Sequence, residues 1–198
     1  MSPNKVFIIS VLAVLILAVP ISAKPENIVM GPYNVSFDTG LSASDYTTHI
    51  VPAVNLVGFT GTPYARYTGW INKTVDTCSR DEMNETICYK PFSTISVAEY
   101  HAPVSSDYIK RLMEHDLQLM VPLGYSEALI MNRTIDNTSG MVGRCSKFLP
   151  DKIYTQSRYL LAPNRNDTSC EVVVIIGLSP KMDQGTENII DTIHLEKI

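Results

Sequence analysis

Positive charge never gathers into a patch in this chain, and that absence removes a class of partners. The sixteen Lys and Arg are dispersed among twenty Asp and Glu, and the formal net charge is −4. A nucleic-acid binder needs clustered cations to displace the counterions of a phosphate backbone, so no nucleic-acid partner is implied. Catalytic signatures are missing as well. No Gly-x-Ser-x-Gly elbow occurs, and Ser126 in Gly124-Tyr125-Ser126-Glu127 lacks the second glycine. Gly58-Phe59-Thr60-Gly61 has no Lys to complete a phosphate-binding loop, and no His-x-x-x-His, His-Glu-x-x-His or Cys-x-x-Cys spacing appears. Asp107, Glu114 and Asp116 read as helix N-terminal charge and a solvated face rather than as paired catalytic carboxylates. From Lys24 onward there is no low-complexity tract, charge block or long Pro or Gly linker, so residues 24–198 read as one domain large enough for a sizeable core.

What the chain does contain points outside the cytosol. Six Asn-x-Ser/Thr sequons, at Asn34, Asn72, Asn84, Asn132, Asn137 and Asn166, lack Pro at the middle position. With eleven Asn and a Ser plus Thr content of one residue in six, about two would arise by chance. A hydrated glycan cannot be buried in a packed core, so these positions are expected on exposed loops or strand faces. At the N-terminus, Lys5 precedes an apolar run from Val6 to Val19 interrupted only by Ser10, and Pro20-Ile21-Ser22-Ala23 supplies a small residue before Lys24. Residues 1–23 therefore read as a signal peptide or, if uncleaved, as an N-terminal anchor, the only route to a membrane. Cleavage removes Lys5 and no acid, so 15 basic residues face 20 acidic ones and the mature charge is about −5.

All four cysteines, Cys78, Cys88, Cys145 and Cys170, lie in the mature part. An even count in an exported chain argues for two disulfides, of which three pairings are possible. Cys78 with Cys88 and Cys145 with Cys170 are favoured, because each pair brackets a polar, turn-rich segment. A four-Cys zinc site is disfavoured, since neither spacing forms a knuckle.

Periodicity gives an α+β fold class, an antiparallel β-sheet flanked by helices. Tyr33 to Asp38 alternates, with Tyr33, Val35 and Phe37 on one face, and strands follow over Thr47 to Val57, Tyr64 to Val75 and Thr86 to Tyr100 around a polar loop at Ser79 to Glu85. A helix is expected from Ser105, with Ile109, Leu112, Met113, Leu117 and Met120 at helical spacing, and Pro122 with Gly124 stops it. Beyond it the pattern gives strands at Ser126 to Ile135, Lys152 to Ala162 and Cys170 to Leu178. Turns are expected at Asn137 to Gly143 and Pro163 to Ser169, and a last helix from Thr186 leads into a closing strand.

Over about residues 92–198, the turn Asp136-Asn137-Thr138-Ser139-Gly140, the strand Tyr154 to Leu161, the apolar strand Glu171 to Ile176 and the ending Glu187 to Leu195 resemble the closing pattern of PsbP-like proteins. The resemblance implies a central antiparallel sheet flanked by helices and an extracytoplasmic, non-catalytic accessory role. None of that family's metal-binding residues maps onto a position here. The expectation is thus a secreted or surface-tethered N-glycosylated, disulfide-stabilised binding protein that is not an enzyme, needs no cofactor, and serves a cell-envelope or extracellular protein. The alternative is an extracellular enzyme or metal-binding protein whose site is assembled from scattered residues. Its best candidates are Glu99 and His101 at a strand end with Glu114 and His115 on the helix, donors that suit a divalent metal.

Overall fold

A computed structural model describes residues 25–58, 60–80, 83–90, 92–126, 129–148, 153–161, 170–180 and 184–198. The expected signal segment, Asn166 and the loop 163–169 lie outside them. Among the described residues three antiparallel sheets are formed. The largest has seven strands in the order β3 (Tyr46–Val57), β4 (Pro63–Lys73), β7 (Phe92–Tyr100), β11 (Cys170–Pro180), β10 (Ile153–Leu161), β9 (Thr138–Phe148) and β8 (Leu129–Ile135). A smaller sheet places β2 (Tyr33–Phe37) between β1 (Glu26–Met30) and β12 (His194–Lys197), and β5 (Thr77–Arg80) pairs with β6 (Thr86–Tyr89) as a hairpin. Two α-helices, α1 (Ser106–Gln118) and α2 (Gln184–Thr192), complete the α+β fold among the described residues.

The alternation in β2 decides how the small sheet sits. Tyr33, Val35 and Phe37 are buried while Asn34 and Ser36 are half-exposed, so one face enters the core and the other meets solvent. Ile28, Met30 and Leu195 extend that apolar face onto the large sheet, where they join Ile71, Ile95, Val97, Ile135 and Val142. Gly69 in β4 makes the approach possible: a Cβ there would lie 2.8 Å from Ile28 Cδ1 and 3.0 Å from Met30 Sδ. Helix α2 closes the same core with Ile189, Ile190 and Ile193. Burying each such side chain contributes about 1.5–3 kcal/mol.

Helix α1 covers the opposite face of the large sheet. Ser105 is its N-cap, with Oγ accepting from Tyr108 N–H at 3.1 Å, and Asp107 complements the helix dipole in the first turn. Ile109, Met113 and Leu117 recur every fourth residue and pack with Ala98, Tyr100 and Cys145. A 3₁₀ turn, Val121–Leu123, carries Pro122 and ends at Gly124 in the left-handed region (φ +84°), which stops the helix as the sequence implied.

Two sequence expectations need correction. The segment 137–143 is not an extended turn: the chain reverses at Asp136 and Asn137 alone (φ +48° and +57°), and β9 begins at Thr138. Gly143, at the end of the expected turn, lies inside β9 under α1, where a Cβ would come within 2.3 Å of Leu117 Cδ1 and 2.5 Å of Met113 Sδ. It is a close-approach glycine. The sequence also hid β1, whose hairpin to β2 turns through Gly31 at φ +61°.

The second correction concerns the cysteines. Cys78 and Cys88 are directly opposed in the β5–β6 ladder and form a disulfide, with Cα atoms 4.1 Å apart. Cys145 and Cys170 cannot pair likewise. Cys145 is in register with Gln156 of β10, and Gln156 with Leu178 of β11, whereas Cys170 lies opposite Tyr100 at the other end of β11. Eight residues of strand, roughly 26 Å, and the width of β10 separate the two, and a disulfide needs Cα atoms within about 7 Å.

Candidate functional site

The four metal candidates are split by the sheet. Ala98 and Tyr100 pack under α1, so the residue between them, Glu99, faces the small sheet and accepts a hydrogen bond from Lys197 Nζ. Glu114 and His115 are exposed on the outer surface of α1, where Glu114 pairs with Lys110 at 3.8 Å, and His101 is exposed beyond the end of β7. Among the described residues no three His, Cys, Asp or Glu side chains lie close enough together to hold a metal ion.

Sequence reasoning missed an ionic cluster that fastens α2 to the sheet. Glu187 accepts from Arg133 Nη1 at 3.1 Å and from Arg144 Nη2 at 2.7 Å, and Asp191 also pairs with Arg133. Burial works against the Arg133 charge, but the hydrogen bonds it donates to Glu187 and Asp191, with their negative charges, outweigh it and raise its pKa. Nothing in the spacing of these residues announces the cluster, because register alone brings β8 and β9 together beneath the helix. Asp136 performs a similar task at the β8–β9 turn. Its Oδ1 meets His194 Nδ1 at 2.9 Å and its Oδ2 accepts from Leu195 N–H at 3.1 Å, so it anchors the closing strand β12.

The sequons occupy varied positions. Asn84 is exposed in the β5–β6 hairpin at φ +63° and accepts from Arg80 at 3.1 Å. Asn132 is exposed on the edge strand β8, and Asn137 is exposed in the two-residue turn that follows it. Asn72 is half-buried on β4, in register with Thr47. Asn34 is half-buried mid-strand in β2 with its Oδ1 enclosed. The tyrosines serve packing: Tyr33, Tyr46, Tyr100 and Tyr108 are buried, Tyr100 and Tyr108 share a hydrogen bond of 3.0 Å, and Tyr64 stacks on Tyr100.

Among the described residues, one surface combines a strand edge that no other strand pairs with and exposed apolar side chains, and it is the edge at β3. This strand is twelve residues long, and from Tyr46 to Val57 it contains no Asp, Glu, Lys or Arg. It pairs with β4 on one side and ends the sheet on the other among the described strands. Ile50, Val54 and Val57 are 43%, 45% and 68% exposed. Both ends are held. Tyr46 is buried, and its hydroxyl donates to Glu26 Oε2 at 2.7 Å; burial first, and this partner second, push its pKa up to about 12. At the far end Gly58 N–H donates to Thr62 O at 2.9 Å, closing the β3–β4 turn. In between, the register slips by one residue between Val51 and Val54, a bulge at Pro52. Among the described residues that bulge is the edge protection the strand carries, for it has neither a charged residue such as Arg133 nor a sequon such as that at Asn132 on β8. No protein-family model matches this chain, and no curated protein or solved structure is significantly similar to it.

Proposed function

We propose that this chain is a secreted or surface-tethered, N-glycosylated accessory protein of PsbP-like architecture that binds an extended segment of another extracytoplasmic protein along β3. The PsbP-like part of the reading is supported by helix α2 leading directly into the short closing strand β12. The export part is supported by the Cys78–Cys88 disulfide and by the exposure of Asn84, Asn132 and Asn137. The binding part is carried by one observation, the uncharged, open edge of β3. Strand addition there satisfies backbone donors and acceptors, while Ile50, Val54 and Val57 supply apolar contacts. An uncharged strand selects an uncharged partner segment, because a charge placed opposite it would be desolvated without a counter-ion.

Charge insertion on the two edges tests this. Val54→Lys on β3 should abolish complex formation with the native extracytoplasmic partner, read by co-elution from extracellular or envelope extracts, and should leave the melting temperature nearly unchanged because the site is exposed. Met131→Lys on β8 should leave the complex intact. Equal loss from both variants, or from neither, overturns the assignment to β3. A mass twice that of the chain that collapses with Val54→Lys would mean that the strand pairs with a second copy instead.

A further inference from the structure

We infer that the glycan carried by Asn137 is seated on the protein itself, in a groove between the β8–β9 turn and the C-terminal end of α2; the inference rests on the N-glycosylation reading above. The groove has a volume of about 350 Å³, and its lining includes Thr134, Asp136, Asn137, Asp191, Thr192 and His194. Its chemistry suits a neutral, polyhydroxylated ligand. Both carboxylates already have hydrogen-bond partners, Asp136 in His194 and the Leu195 N–H and Asp191 in Arg133, so neither is left bare in the groove. Sugar hydroxyls and the N-acetyl group of an N-linked hexosamine can use the outer carboxylate oxygen of Asp191 and the imidazole of His194.

The sequon asparagine is part of the lining, so the sugar is delivered covalently to the place that accepts it. Attachment makes the contact intramolecular, and weak hydrogen bonds then suffice to hold it. The tight turn reinforces this, because Asp136 and Asn137 at φ +48° and +57° leave the attachment point little backbone freedom. Asn84 provides the internal comparison: it is also exposed and at positive φ, but it does not belong to this groove.

The test uses the full chain secreted from a host that performs N-glycosylation. Peptide mass mapping first establishes occupancy of Asn137 and Asn84. Native endoglycosidase digestion is then followed at each site. A glycan seated for nine-tenths of the time should be released about tenfold more slowly from Asn137 than from Asn84, with the difference abolished on denaturation. His194→Leu, at an exposed position, should bring the Asn137 rate up to that of Asn84. Ser139→Ala, which removes the glycan but keeps Asn137, should raise amide exchange in β12, and Thr86→Ala, which removes the glycan at Asn84, should not. Equal release rates at two occupied sites overturn the seating alone. A bare Asn137 on an exported chain overturns both the seating and the glycosylation reading at that site.

Discussion

Placing a methyl group at Gly143 tests whether α1 and β9 are fitted to one another as described. An added Cβ would lie 2.3 Å from Leu117 Cδ1 and 2.5 Å from Met113 Sδ, well inside contact distance. Both atoms end flexible side chains, so they can move, but α1 is pressed onto the sheet there and the movement costs packing. Overfilling of this kind typically costs about 1–3 kcal/mol, and the backbone entropy an alanine saves in a strand returns about 0.5–1 kcal/mol. Gly143→Ala should therefore lose about 1–2 kcal/mol. Leu117→Ala, which empties the space the new methyl would enter, should lose about 2–5 kcal/mol alone. In the double variant the methyl occupies part of that space, so the combined loss should fall at least about 1 kcal/mol short of the sum. Urea unfolding of the four proteins, with m-values compared, measures this. Additivity within about 0.5 kcal/mol would refute the contact.

Three further outcomes follow from named contacts. The Asp136 hydrogen bond and charge raise the pKa of His194, so the protonated imidazole stabilises the fold. That stabilisation should be full below the unfolded value of about 6.5 and lost as pH rises through the higher folded value; with the ring 63% exposed it should stay below about 1 kcal/mol and vanish in Asp136→Asn, as thermal melts across pH 5–9 would show. Replacing Cys78 and Cys88 by Ala opens a loop of sequence separation 10 and should cost about 2–3 kcal/mol, with near-UV circular dichroism still reporting an ordered core because the bridge lies within its own hairpin. Ser105→Ala removes the cap of α1 and should cost about 1 kcal/mol, with Ser105→Asp recovering most of it in urea unfolding.

The sequence was readable where one local rule acted alone. β2 followed from strict alternation, and α1 from a cap, a four-residue apolar spacing and a Pro–Gly stop. It misled where tertiary contact assigned the residue its task. β9 was hidden because Thr138 to Gly143 is rich in small and polar residues, and Gly143 carries no local mark that separates a turn glycine from one making room for Leu117. The short β1 has its apolar Ile28 and Met30 next to Gly31-Pro32, which masks a strand that is stable only because β2 and β4 flank it. Cys145 and Cys170 are close in sequence but belong to strands separated by β10, and only register sets their distance. The edge status of β3 was illegible for a related reason. Its composition reads as any β-branched strand, and only the strand order shows that it ends the sheet among the described strands.

A photo-crosslinking residue placed on β3 tests the proposed function most directly. The full chain carrying a benzophenone side chain at Val54, exported by cells that make its natural partners, should give an adduct whose linked peptide is an extended, uncharged segment of another protein. The same probe at Met131 on β8 should give none. Adducts at Met131 but not at Val54, or links from Val54 only to peptides of this chain, would contradict the assignment of β3 as the edge that binds a partner.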